Sequence, residues 1–225
     1  MLNVCSMEYK AAIFDMDGLL IDSEPLWQEA GKEALADFDI LLTDEQYHSS
    51  TGLRTTEWVD HWFRFFNISL TNAPSAIEVI HRKAIEKIGA RGIELPGVTY
   101  ILDFFHDHNY LVGLATSSPM ALVDVVVDKL KIRDRFHALN SAEHLPYGKP
   151  HPMVFLESAK ALGCLPQTSI VFEDSFNGLI AAKAARMKCV VVPAREQISH
   201  PRWSAADLVI NSLMEFSLEK LSKIS

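Results

Sequence analysis

Ala11-Ala12-Ile13-Phe14-Asp15-Met16-Asp17-Gly18 is the stretch on which the reading of this chain turns. Four consecutive apolar residues describe a short strand buried on both faces, and the run stops at two carboxylates one residue apart. Gly18 then frees the backbone to turn at once. In such a place one carboxylate can attack phosphorus while its neighbour, two positions on, handles the proton. An Asp-x-Asp after a strand is also a common solvated loop that caps the next helix. The pair therefore takes its meaning from what the rest of the chain supplies.

From Pro96 onward, strand and helix patterns alternate with short connections, the signature of βα units and a parallel sheet. Strands are expected at 110–115, 136–139, 170–172, 189–192 and 208–210, and 11–14 belongs with them. Between them, Leu122, Val125, Val126 and Leu130, and then Phe155, Leu156, Ala159 and Leu162, are spaced for one face of a helix. Residues from about Ser23 to Gly89 differ, with no comparable strand run. Ser23 and Pro25 mark a helix start, and 53–66 and 76–88 read as further helices. The return to the sheet passes through Gly89, Gly92, Pro96 and Gly97, a cluster suited to a hinge. The expected organisation is an α/β core of residues 1–20 and 93–225, with a helical domain, 21–92, inserted after the first strand.

Composition narrows the function classes. An apolar share of 48% and a charged share of 22% are those of an ordinary globular protein, and no apolar run approaches the ~20 residues of a membrane span. The segment 1–10 carries Glu8 and lacks a basic stretch followed by an apolar one, so no secretory signal is visible and a cytoplasmic location is expected. Cys5, Cys164 and Cys189 are far apart and never form Cys-x-x-Cys, which argues against disulfides and structural zinc. Cys189 opens an apolar run and reads as core. A formal charge of −8 disfavours a nucleic-acid surface, yet leaves room for a small anionic substrate held by a few cations or a metal.

Three further segments supply the partners that Asp15 and Asp17 need. The strand 110–115 runs into Thr116-Ser117-Ser118-Pro119, where hydroxyls and backbone N–H groups make an anion seat; a plain N-cap would look the same. Gly148-Lys149-Pro150-His151-Pro152 holds a lysine between a glycine and a proline, an odd setting for a surface residue. Its point charge can neutralise a phosphate oxygen and a crowded carboxylate together. Phe172-Glu173-Asp174-Ser175, with Asn177 and Gly178, again ends an apolar strand in carboxylates; acidic residues at a helix N-terminus are the plainer explanation. In a parallel sheet all strand C-terminal ends share one edge, where ligands bind. Asp15, Asp17, Glu173 and Asp174 would gather there as hard oxygen ligands suited to Mg²⁺.

Asp15-Met16-Asp17-Gly18, Thr116, Lys149 and Glu173-Asp174, in that order and each after a strand, resemble the four motifs of the haloacid dehalogenase superfamily. The match covers nearly the whole chain, and the helical insertion resembles the small cap of the β-phosphoglucomutase-like branch. The longer run from Phe14 to Pro25 is similar to bacterial sugar-phosphate phosphatases of that branch, including the 2-deoxyglucose-6-phosphate and hexitol-phosphate type. The resemblance implies a Rossmann-like, doubly wound parallel sheet with an all-helical cap that selects substrate. It implies a Mg²⁺-dependent phosphatase acting on small phosphorylated sugars or sugar alcohols; charge and composition add the expectation of no nucleic acid or membrane partner, and a monomer is expected. Asp15 would be the nucleophile that becomes an aspartyl-phosphate, and Asp17 the general acid and base, its backbone carbonyl also on the metal. Asp174 would be the distal metal ligand with Glu173 beside it, while Thr116, Ser117, Lys149 and Asn177 hold the substrate.

In the cap, Trp27, Thr51, Gly52, Leu53, Arg54, Trp58 and His61 offer polar and flat apolar surfaces for a sugar, although Trp58 and Trp62 at helical spacing also read as packing. Arg54 follows Thr51-Gly52-Leu53 in a place that resembles the cap loop reaching into the site of relatives. The chief rival is a phosphosugar mutase on the same core. β-Phosphoglucomutases carry a histidine in the first cap helix where Trp27 aligns, and that departure favours hydrolysis. A phospho-accepting receiver needs only about half this length and has no such insertion. A silent binding protein is disfavoured by the intact reactive positions, and a dehalogenase by Asp17, since halide needs no leaving-group acid.

Overall fold

A computed structural model describes residues 9–50 and 53–224; Cys5, Thr51 and Gly52 lie outside them. The first strand, β1 (Ala11–Phe14), is fully buried and followed by a short β2 (Ile21–Asp22). The helices α1 (Glu24–Ala36), α2 (Asp44–Ser49), α3 (Thr55–Phe65) and α4 (Ala73–Arg91) come next, and β3 (Ile93–Glu94) returns the chain. The remainder runs α5 (Val98–Asp107), β4 (Leu111–Thr116), α6 (Met120–Lys129), β5 (Ala138–Ser141), α7 (Met153–Ala161), β6 (Ser169–Glu173), α8 (Phe176–Ala184), β7 (Lys188–Val191), β8 (Leu208–Val209) and α9 (Leu218–Ile224). No helix among the described residues is long and apolar enough to cross a membrane.

Six strands form one parallel sheet in the order β5-β4-β1-β6-β7-β8. The chain thus works outward from β1 to one edge, then crosses back to fill the other, the doubly wound Rossmann order. Side chains alternate between two cores as a strand's period of two requires. Ala12, Phe14, Val112, Leu114, Ile170 and Phe172 join a cluster with α5, α6 and α9 on one face. Ala11, Ile13, Ala115, Val171, Cys189 and Val191 join α7 and α8 on the other. Stacking of Phe14 on Phe172, centroids 4.8 Å apart, ties the two central strands just below their C-terminal ends.

The helical segment leaves and rejoins the sheet through neighbouring strands, because β2 and β3 pair antiparallel, Ile21 opposite Glu94. The expected helix over 53–66 is α3, and that over 76–88 is the longer α4. Helix α2 was not anticipated, although Thr43 and Gln46 form a reciprocal capping box that the spacing Thr-x-x-Gln signals. Trp58, Val59, Trp62 and Phe63 on α3 pack with Leu35, Ile40, Tyr47, Ala76 and Ile80 in a third core. Leu26, Ala30, Ala84 and Ile88, nearer the ends of α1 and α4 that meet the sheet, belong instead to the α5/α6 core.

At the far edge, Asp207 braces β7 and β8 by accepting from Lys183 Nζ (2.6 Å) and from the Cys189 backbone N–H (2.8 Å). Burial pushes this carboxyl up, but the Lys183 and Cys189 hydrogen bonds and the lysine charge outweigh it and hold it below its usual value. A depressed folded-state value contributes stability above the unfolded value near 4, and that contribution is lost as pH falls through the folded one. Asp207→Asn is expected to lose about 1.5–3 kcal/mol at pH ~7 in urea unfolding, the range for a hydrogen bond to a charged group. The gap from the parent should close as pH is lowered through ~4.

Candidate active site

Three adjacent strands deliver the site. Phe14 lies in register with Leu114 on one side and Phe172 on the other, so Asp15, Thr116 and the Glu173-Asp174 pair emerge at one edge. The Asp15 N–H continues the ladder by donating to the Phe172 carbonyl at 3.0 Å. This edge is the crevice between β1 and β6, where the winding changes direction and neighbouring connections diverge.

Lys149 occupies its centre, 2% exposed. Its Nζ donates to Asp15 Oδ1 (2.7 Å), Glu173 Oε1 (2.5 Å) and the Ala115 carbonyl (3.2 Å), which uses all three of its protons. Glu173 is fully buried, and its second oxygen accepts from the Asp174 N–H, the Ser175 N–H and the Ser175 hydroxyl. Ser175 also caps α8 by accepting from the Gly178 N–H. Gly178 is required there, since a Cβ would stand 1.8 Å from Glu173 Oε1. Gly18, at φ +74°, leaves space in the same way for the Asp174 carboxylate, which a Cβ would meet at 2.2 Å.

Asp17 points away from this lysine. Its Oδ1 accepts from the Ser23 hydroxyl (2.7 Å) and the Trp27 indole N–H (2.9 Å), its Oδ2 from the Ser118 hydroxyl (2.6 Å) and, at longer range, Thr116 (3.4 Å). Ser23 does start α1, but its hydroxyl holds Asp17 instead of capping the helix. Ser23, expected as a helix start, and Ser118, expected in an anion seat or as an N-cap, thus both hold Asp17. Ser117 Oγ is buried and has no hydrogen-bond partner among the described residues. A buried polar atom facing the cavity without a partner calls for one, and a phosphoryl oxygen would serve.

Charge defines what the cluster can bind. Asp15, Glu173 and Asp174 offer oxygens within 4.8 Å of one another, with one lysine against three carboxyls. Burial pushes Asp15 up to about 8 in spite of the Lys149 charge, with Glu173 and Asp17 adding to the rise. Burial, Glu173 and Asp15 push Asp174 well above its usual range too. Asp15 Oδ2 and both Asp174 oxygens accept no hydrogen bond from the described residues. Excess buried negative charge on hard oxygen atoms with free lone pairs fits a small divalent cation. Glu173 belongs to the cluster, though both its oxygens already accept bonds, and the Asp17 carboxylate lies outside it.

The cavity above is lined by Asp15, Asp17, Thr116, Ser117, Lys149 and Asp174 from the core, and by Glu24, Trp27, Leu53 and Trp58 from the helical segment. Three expected contacts are not brought here. Arg54 reaches across to the core, donating to the carbonyls of Ala142 (3.1 Å) and Leu145 and to Glu57 (2.7 Å), so its guanidinium latches α3 to the loop preceding Lys149. Asn177, near the start of α8, is not among the cavity's lining residues, and nor is His61. Glu24 was missed by sequence reading, hidden in an ordinary helix start.

Lys149→Met keeps the volume but strands two buried carboxylates, so it is expected to cost about 3–5 kcal/mol in urea unfolding without metal. Adding Glu173→Gln should restore part of that loss.

Comparison with known proteins agrees with this geometry. The family model for haloacid dehalogenase-like hydrolases matches residues 12–192. Hexitol phosphatase B of Escherichia coli (strain K12) is 43% identical over 215 residues, covering 94% of this chain and 96% of that one. A β-phosphoglucomutase of Bacillus subtilis is 30% identical over 220 residues, covering 94% and 93%. The crystal structure of a β-phosphoglucomutase from Clostridium difficile superposes with a TM-score of 0.85 at 27% identity, covering 96% of each chain. A strand order, an edge of carboxylates around a buried lysine, and relatives along nearly the full length all agree: the chain belongs to the haloacid dehalogenase-like hydrolases, among their β-phosphoglucomutase-like members.

Proposed function

We propose that this phosphatase hydrolyses monoesters of small sugars or sugar alcohols, of the hexose, deoxyhexose or hexitol kind, through an aspartyl-phosphate on Asp15, with Mg²⁺ as cofactor. The observation that carries the reading is Lys149 clamped between Asp15 and Glu173 in a cavity that Asp17 also lines. Residues 21–92 act as the cap over a core of 1–20 and 93–225. The similarity to hexitol phosphatase B supports the substrate class.

Asp15 Oδ2, free of hydrogen bonds, attacks phosphorus as the ester P–O bond breaks. Asp17 gives its proton to the departing alkoxide, then takes one from the water that cleaves the acyl phosphate, as a group between two half-reactions must. Ser23, Trp27 and Ser118 keep its carboxylate in place between the two steps. Lys149, Thr116 and Ser117 hold the phosphoryl oxygens, where spreading charge is most of the catalytic task. Asp15 and Asp174, with Glu173 behind them and the Asp17 carbonyl, would hold the metal, which supplies positive charge to keep Asp15 ionised and to screen the phosphoryl group. Relatives named β-phosphoglucomutase support the mutase as second reading; Trp27 on Asp17 favours water as acceptor.

Phosphate release across hexose, deoxyhexose, hexitol and nucleoside monophosphates is expected to need Mg²⁺, to stop with EDTA, and to favour one sugar class by ~tenfold or more in kcat/KM. Formation of glucose 6-phosphate from β-glucose 1-phosphate, at a rate matching hydrolysis, would instead select the mutase. Asp15→Asn should lose several orders of magnitude in kcat, roughly 10⁴ or more, while its circular dichroism and melting stay native; retained turnover removes the nucleophile assignment. Asp17→Asn should accumulate phosphoenzyme with an activated substrate such as p-nitrophenyl phosphate, visible as an 80 Da adduct of about one phosphoryl group in intact-mass spectra.

A further inference from the structure

Beyond the phosphoryl seat, apolar side chains of the helical segment line the cavity beside the hydroxyl-bearing Tyr47, Ser50 and Thr55. Trp27, Leu53, Trp58 and Ile80 form its walls, and Trp58 lies against Gly31 closely enough that a Cβ there would touch its ring at 3.0 Å. Among the described lining residues the helical segment contributes one carboxylate, Glu24, at the first position of α1, near enough to Asp17, Asp174 and Tyr47 to act on them electrostatically. Glu24 makes no hydrogen bond or ion pair with any described residue. Burial, with the charges of Asp17 and Asp22 behind it, pushes it up to about 7. A half-buried carboxylate that lines a cavity without a described protein partner keeps its lone pairs for a ligand.

Cations are missing from the same space. Lys149 is the only cation among the described lining residues, and Asp15, Glu173 and the Ala115 carbonyl already take its three protons. Arg54, the nearest cap guanidinium in sequence, is engaged with Glu57 and core carbonyls outside the cavity. A second phosphate or a carboxylate on the substrate would therefore face Glu24 with no described counter-charge, whereas hydroxyl groups could donate to it.

We propose that Glu24 is a specificity-determining residue, accepting hydrogen bonds from substrate hydroxyls and excluding a second anionic group. The substrate class is then monophosphates of neutral polyols and sugars, with bisphosphates and phosphorylated sugar acids rejected. This rests on the phosphatase reading above and goes beyond it by naming the group that sorts substrates and the charge it sorts by.

The test compares sorbitol 6-phosphate, 6-phosphogluconate and n-hexyl phosphate, three six-carbon monoesters that differ in hydroxyls and in a distal carboxylate. Assays at pH ~8 with Mg²⁺ keep Glu24 mostly ionised. The parent enzyme is expected to favour sorbitol 6-phosphate over 6-phosphogluconate by ~30-fold or more in kcat/KM. Glu24→Gln, which keeps shape and hydrogen bonding but removes charge, should shrink that ratio by ~tenfold. Glu24→Leu should shrink the ratio of sorbitol 6-phosphate to hexyl phosphate by a similar ~tenfold, because a buried hydroxyl then lacks its acceptor. If parent and Gln variant share the same sorbitol-to-gluconate ratio within ~twofold, the Glu24 assignment falls and the phosphatase reading stands. If the parent releases phosphate from none of the three or from the wider panel, the phosphatase reading falls and takes this assignment with it.

Discussion

Lys149 sits where two buried carboxylates need it, and much of the site follows from that constraint. Asp15 and Glu173 end neighbouring strands in the centre of the sheet and are almost wholly excluded from water. Without a cation between them, two charges in a medium of low polarity would repel strongly. With it, each strand end is fixed to the loop 142–149, and the lysine has no freedom left. One positive charge still leaves the cluster net negative. Burial first, and that residual charge with it, pushes Asp15 and Asp174 upward, and the negative charge is the physical reason the edge suits a divalent cation and, with it, a phosphoryl group.

Asp15 and Asp17 are two residues apart and have unlike surroundings. Asp15 faces a lysine, other carboxylates and the cavity, and keeps one oxygen free. Asp17 turns to the helical segment, where Ser23 and Trp27 donate to one oxygen, and to the loop after β4, where Ser118 donates to the other. Separate environments give two carboxylates separate tasks. Because two of the Asp17 donors are carried by α1 or its cap, the orientation of the proposed acid and base is coupled to the position of the helical segment. Arg54 and Glu57 make a second tie between that segment and the loop leading into Lys149, Glu57 also accepting from the Gly148 N–H.

The fold was largely legible because its strands are short apolar runs that end in distinctive polar groups. The strand expected at 110–115 is Leu111–Thr116, and that at 170–172 is Ser169–Glu173, so the errors are of a residue or two at the ends. The pair β2 and β3 was not legible, being two residues each and held by pairing of residues 21 and 22 with 94 and 93, a property no local pattern carries. Trp58 and Trp62 illustrate an ambiguity that only packing resolves. Both join the core of the helical segment, and Trp58 also borders the cavity.

By itself the sequence determined the class of the sheet, the order of its motifs and which carboxylates stand at its edge, since these depend on strand period and on groups placed directly after strand ends. Tertiary structure alone decided where the longer side chains go. Ser23, read as a helix cap, holds Asp17; Arg54, read as a ligand, latches α3 to the core; Glu24, unremarked in the chain, faces the cavity. A side chain with several rotatable bonds has many partners within reach, and its choice depends on elements that the fold brings together from distant parts of the chain. Strand ends have no such choice, because register sets where they stop.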